Sequence, residues 1–114
     1  MKRESLSFQF ENEMIWEDLG AGVKRQIMAY NDSLMMVKVQ FEKGAVGAVH
    51  THPHTQATYV VSGAFEFTNN GESKIVKAGD GLYIKPDASH GCVCLEAGTL
   101  IDTFSPIRED FINK

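Results

Sequence analysis

Apolar and polar residues alternate with a period of two along most of the chain from position 23 onward. No useful length in the middle carries the 3.6-residue period of an amphipathic helix, so the pattern predicts an all-β fold. Positions 23–30 and 34–41 read as strands flanking a turn at Asn31, Asp32 and Ser33. In the second strand Met35, Val37, Val39 and Phe41 share the face that would meet the core. Positions 58–67 and 74–77 flank Asn69-Asn70-Gly71-Glu72, and Asn-Gly is the strongest short hairpin signal because both central turn residues must accept positive φ. A turn at Ala78, Gly79, Asp80 and Gly81 precedes a short strand over 82–84, and Lys85-Pro86-Asp87-Ala88-Ser89 leads to His90. Two more strands are expected over 91–95 and 99–104, joined at Glu96, Ala97 and Gly98. Near the start SLSFQF alternates as a strand and ENEMIWEDL reads as a short helix or an irregular arm, while IREDFINK at the end allows one helical turn. Short strands with turn signals about every eight to twelve residues describe a sandwich or barrel.

The 114 residues carry no repeat, linker or low-complexity tract. They are read as one domain over 1–114, with an N-terminal arm at 1–21, a barrel at about 22–105 and a tail at 106–114. Eleven basic against fifteen acidic residues, with no basic run, argue against nucleic acid or an anionic membrane as partner. MKRESLSFQFENEM has no apolar stretch after its basic residues and no window approaches a membrane span, so a cytoplasmic location is expected. Cys92 and Cys94, the two cysteines, would share a strand face without their sulfurs meeting easily. They read as reduced, buried, small apolar residues rather than as a redox or zinc pair.

The four histidines are His50, His52, His54 and His90, three of them within five residues. On a strand, residues two apart share a face, so His50 and His52 have the spacing of metal ligands, although solvated histidines fit that spacing as well. His54 follows Pro53, which interrupts regular pairing, and is assigned to the rim. The surroundings narrow the choice. G-x5-H-x-H-x3-Q-x6-G runs from Gly44 to Gly63, and G-x4-P-x3-H from Gly81 to His90. The pair resembles the two-motif signature of the cupin superfamily over residues 44 to about 95. The resemblance implies a cupin jelly roll, a double-stranded β-helix barrel, in which His50, His52, Gln56 and His90 converge on one divalent transition metal. There are two departures: glutamate is usual where this chain has Gln56, and Ala88 stands where glycine is frequent, with His90 one residue closer to Pro86 than in the general pattern. A neutral amide oxygen leaves more of the ion's charge uncompensated than a carboxylate would and so makes it a better Lewis acid. Three imidazoles and an amide oxygen suit nickel, zinc, cobalt, iron or manganese.

A narrower resemblance rests on GVKRQIMAYNDSLMMVKVQFEKGAVGAVHTHPHTQATYVVSGAFEF and LIDTFSPIREDFI, which are similar to the KdgF-type cupins of pectin and alginate breakdown. It implies an isomerase-like, non-redox reaction: linearisation of a 4,5-unsaturated uronate to an open-chain 5-keto-4-deoxyuronate. In LIDTF, Leu100, Asp102 and Phe104 share a strand face, so an inward Phe104 brings Asp102 inward as candidate proton carrier; a water-facing aspartate is the alternative. Phe104 reads as an apolar wall against the sugar ring or as core packing. Arg25 and Arg108 are candidates for a bidentate grip on a substrate carboxylate, or surface or interface salt bridges. SLSFQF could pair with a second copy, which suggests a homodimer. Two rival functions are a metal-dependent dioxygenase, opposed by a ligand set without carboxylate, and a non-catalytic sugar- or metabolite-binding cupin, opposed by an inward Asp102.

Overall fold

The computed structural model describes residues 3–113; Met1, Lys2 and Lys114, the outer ends of the expected arm and tail, lie outside the described residues. A 3-10 turn at Glu11–Glu13 precedes eight strands: β1 (Glu17–Gly20), β2 (Val23–Asn31), β3 (Leu34–Phe41), β4 (Val46–His50), β5 (Thr55–Asn69), β6 (Glu72–Lys77), β7 (Gly81–Ile84) and β8 (His90–Ser105). A one-turn helix α1 (Glu109–Ile112) follows. All strand pairs are antiparallel. The sheet runs β1-β2-β3-β8-β5-β6, with β4 also on β8 and β7 also on β5.

The two long strands make the barrel. β5 and β8 pair from Thr55↔Ser105 to Asn69↔His90. One half of β8 is shared with β3 and the other with β4, while β5 is shared between β7 and β6. The pair therefore passes from one face of the jelly roll to the other, and its register shifts cluster at the bend, between Val60 and Phe65. Met35, Val37, Val39 and Phe41 all point inward from β3 and are buried with Val60, Phe65, Leu100 and Phe104. Phe41 and Phe65 meet edge to face at 5.3 Å. Each such side chain contributes about 1.5–3 kcal/mol of burial, which is what fixes the inward face of β3.

The hairpin read from Asn-Gly is present: Asn69 pairs with Glu72, and Asn70 and Gly71 have φ of 52° and 84°. Three expectations need correction. Glu96, Ala97 and Gly98 do not form a loop, because β8 runs through them without a break. The glycine there serves a close strand crossing instead of a turn: a Cβ on Gly98 would lie 2.0 Å from the Ser62 carbonyl oxygen, and one on Gly63, at φ +83°, 2.5 Å from that of Glu96. SLSFQF is not a strand either. It is tied by a Glu4↔Asn31 bridge and by Ser5 N–H donating to the Tyr30 carbonyl at 2.8 Å, and its Leu6, Phe8 and Phe10 are exposed. Alternation alone does not make a strand where no neighbour supplies the ladder. Finally, ENEMIWEDL contributes the 3-10 turn and the short β1, which returns onto β2 through Gly20, Ala21 and Gly22, all at positive φ.

Candidate metal centre and adjoining cavity

Strand register brings the histidines together. The pairing of β4 with β8 sets His50 opposite His90. His52 is not on that strand, because β4 ends at His50 and residues 51–54 are irregular. The segment is held in place by Asp87 N–H, which donates to the His52 carbonyl at 2.8 Å. The rings lie 4.3 Å (His50–His90), 4.8 Å (His52–His90) and 5.6 Å (His50–His52) apart, and one ligand atom from each falls within 4.8 Å of the others. His50 is exposed and the other two are buried, so the cluster opens to solvent on one side.

The hydrogen bonds orient two of the rings for a ligand role. His50 Nδ1 is 2.8 Å from the Ala48 carbonyl oxygen and His90 Nδ1 is 2.9 Å from that of Ala88. With Nδ1–H donating, each neutral ring presents the lone pair of Nε2, as metal-bound histidines do. His90 Nε2 is buried without a partner among the described residues, a state that costs about 1–3 kcal/mol unless something fills it. Burial pushes the His52 and His90 pKa values below the ordinary histidine range, against the pull of their hydrogen bonds to Gln56 and Ala88. This favours the neutral rings a metal needs. The cluster fits a divalent transition-metal ion. His54 stands edge-on to His52 at 5.4 Å but is not one of the three with converging ligand atoms; its Nε2 is 3.1 Å from the Ile107 carbonyl oxygen.

Gln56 borders the cluster from β5. Its Oε1 is 2.8 Å from His52 Nε2, and its Nε2–H donates to Thr58 Oγ1 at 2.9 Å. Thr58 Oγ1–H in turn donates to Asp102 Oδ1 at 2.7 Å. The β5/β8 register sets Thr58 opposite Asp102 and Gln56 opposite Phe104.

A cavity of about 240 Å³ adjoins the histidines. His50, Gln56 and His90 line it, as do Asp102 and Phe104 of β8 and both Arg25 and Arg108. Burial raises the Asp102 carboxyl to about 6, although its hydrogen bonds with Thr58 and Gln56 pull the other way. Burial also holds the Cys92 thiol on the cavity wall up at about 11, so near neutral pH it is an uncharged lining group. Cys92 and Cys94 are both free thiols.

The arginines meet across Phe111 of α1, with guanidinium carbons 3.9 Å (Arg25) and 4.2 Å (Arg108) from the ring centroid. Phe111 stands edge-on to Phe104 at 5.7 Å. Arg108 donates two hydrogen bonds to Asp110, at 3.0 and 2.8 Å, and Arg25 Nε lies 3.4 Å from a Glu17 carboxylate oxygen. Burial chiefly, then the like charge of Arg108, lowers the Arg25 pKa. Two largely buried cations on one cavity favour an anionic occupant. Sequence reasoning missed Thr58 and Phe111. Thr58 was legible only as the inward neighbour of Gln56 two positions along a strand, and Phe111 lies in a tail read only as a helical turn.

A model of the cupin domain matches residues 37–102. The pectin degradation protein KdgF of Dickeya dadantii (strain 3937) is 49% identical over 104 residues, 90% of this chain and 94% of that protein. An RmlC-like cupin from Shewanella frigidimarina NCIMB 400 superposes with a TM-score of 0.93 at 48% identity, covering 95% of this chain and 97% of its own. KdgF from Halomonas sp. superposes with a TM-score of 0.89 at 41% identity, covering 94% and 99%.

Proposed function

The chain belongs to the cupin-domain family, and from that premise we propose that it is a metal-dependent, non-redox enzyme that opens 4,5-unsaturated uronates from pectin or alginate breakdown into open-chain 5-keto-4-deoxyuronates. The observation that carries the proposal is convergence: two histidines of a three-histidine cluster, a carboxyl raised to about 6 and two arginines line one cavity. His50, His52 and His90, with the Gln56 amide oxygen, would hold the ion. When bound, it supplies Lewis acidity that polarises water or a substrate hydroxyl.

The ring form of the substrate is an enol ether. Asp102 in its acid form delivers a proton to carbon 4, water adds at carbon 5, and the proton that water releases restores the acid. The hemiketal then opens as the bond from carbon 5 to the ring oxygen breaks, leaving a ketone at carbon 5. Water taken up at carbon 5 is matched by water lost when carbon 1 becomes an aldehyde, so the net change is an isomerisation. Arg25 and Arg108 neutralise the uronate carboxylate, and Phe104 gives the sugar an apolar wall. In heavy water, NMR of the product should show one deuterium at carbon 4 and no oxygen should be consumed. Oxygen uptake matching turnover would establish a dioxygenase instead, and saturable binding without product a binding module.

Gln56→Glu is expected to keep its metal and lose about ten-fold in kcat, equivalent to about 1.4 kcal/mol of barrier, because a carboxylate ligand cancels part of the ion's charge. Metal analysis alongside kinetics checks this; unchanged kcat would contradict it.

We also propose a homodimer in which a second copy covers Leu6, Phe8 and Phe10, which are exposed on the irregular stretch between the Glu4↔Asn31 bridge and the 3-10 turn. A Leu6→Asp, Phe8→Asp variant should sediment as a monomer where wild type is a dimer. A monomeric wild type would overturn the proposal.

A further inference from the structure

Thr58 belongs to none of the roles above, yet its hydroxyl joins the Gln56 amide to the Asp102 carboxyl, with only 3% of the residue exposed. The chain of bonds has a fixed direction. An amide nitrogen can only donate, so Gln56 Nε2–H occupies the Thr58 oxygen as acceptor and turns the threonine proton toward Asp102. Asp102 Oδ1 must then accept, and an oxygen that accepts this bond is not the one that carries the carboxyl's own proton. The other end is equally constrained: with its nitrogen donating to Thr58 and also bonded to the Asp102 carboxyl, the Gln56 amide must present its oxygen to His52, 2.8 Å away.

We propose that Thr58 is a positioning residue that sets both ends of the site at once: it keeps the Gln56 oxygen turned toward the histidine cluster, and it fixes Asp102 with its transferable proton on the oxygen away from Thr58. This rests on the uronate-opening reading for its catalytic half only; the orientation of Gln56 and Asp102 stands on the hydrogen bonds. A glutamate at position 56 has no donor to give, so the same relay explains why an amide suits this position. A carboxylate there would draw the Thr58 proton to itself and leave Asp102 Oδ1 without it.

The test compares Thr58→Val, close in shape but without the hydroxyl, with Thr58→Ser, which restores it. In metal-free protein the Gln56 side-chain amide protons and the hydroxyl proton at position 58 should be protected and shifted in NMR spectra of wild type and Thr58→Ser. The amide protection should fall in Thr58→Val, where the contact with Asp102 alone remains. With cobalt(II) as probe, the visible spectrum should change in Thr58→Val and not in Thr58→Ser, since only the former removes the hydroxyl that helps hold the amide in place. On unsaturated uronate, kcat should fall about 10–100-fold in Thr58→Val, the scale of losing a group that orients a ligand, with KM held and Thr58→Ser within about three-fold of wild type. A Thr58→Val protein with wild-type amide signals and cobalt spectrum would overturn the proposal whatever the substrate. So would wild-type kcat in Thr58→Val when the wild type is active. If the wild type itself does not turn over the uronate, the proposed function falls, and the NMR and cobalt spectra decide the role of Thr58 alone.

Discussion

Asp102→Asn is expected to yield a folded, metal-loaded protein that has lost on the order of a hundred-fold or more in kcat, the usual contribution of a positioned acid–base group. Asparagine keeps the size of the side chain and can still accept from the Thr58 hydroxyl, but it has no acidic proton for carbon 4. A separate readout shows that the loss is chemical. In metal-free protein the Asp102 carboxyl is raised to about 6 from an unperturbed 3.8, so the folded state binds its proton more tightly than the unfolded chain does. Stability from this group is therefore greatest below the unfolded value and falls as pH rises through the folded one. The substituted amide stays neutral throughout. The variant should gain relative to wild type as pH rises from about 4 to about 6, by on the order of 2 kcal/mol, measured by denaturant titration at several pH values. An inactive variant at least as stable as wild type near neutral pH separates catalysis from folding. Equal kcat and an equal pH profile would make Asp102 structural and move proton delivery to another group.

The second large effect concerns the ion. Wild-type protein should hold close to one divalent metal per chain, and the His50→Ala, His90→Ala double variant should hold almost none, with activity lost in parallel. The exposed His50 and the buried His90 face each other in register across β4 and β8, so the pair removes two ligand atoms without touching the apolar core. Metal binding also requires neutral imidazoles. Because burial lowers His52 and His90, wild type should keep its metal through the ordinary histidine value of about 6.5 and release it only at lower pH. Elemental analysis after dialysis across that range reads both effects, and full metal content in the double variant would refute the ligand assignment.

Some of this was open to inspection in the sequence and some was not, for reasons that differ by residue. The inward face of β3 and the hairpin at Asn70-Gly71 were legible because period-two burial and positive φ are local demands. The shared face of Leu100, Asp102 and Phe104 was legible for the same reason. The grouping of His50 with His90 came only through the two-motif resemblance, since strand register across 40 positions is not a local property. His52 reaches the cluster from irregular chain, which no periodicity describes. Gly98 read as a turn because sequence cannot distinguish a glycine that bends the chain from one that lets two backbones cross. Thr58 carried no signal of its own: its importance arises from the β5/β8 register that sets it opposite Asp102.

The central claim, that this cavity opens an unsaturated uronate ring, has one direct measurement. The carbon 4 to carbon 5 double bond absorbs in the ultraviolet and the 5-keto product lacks it. Metal-loaded protein added to a 4,5-unsaturated uronate should make that absorbance decay at a rate proportional to protein concentration, well above spontaneous opening, while chelator-treated protein leaves the spontaneous rate unchanged. Decay no faster with metal-loaded protein than without it would contradict the claim.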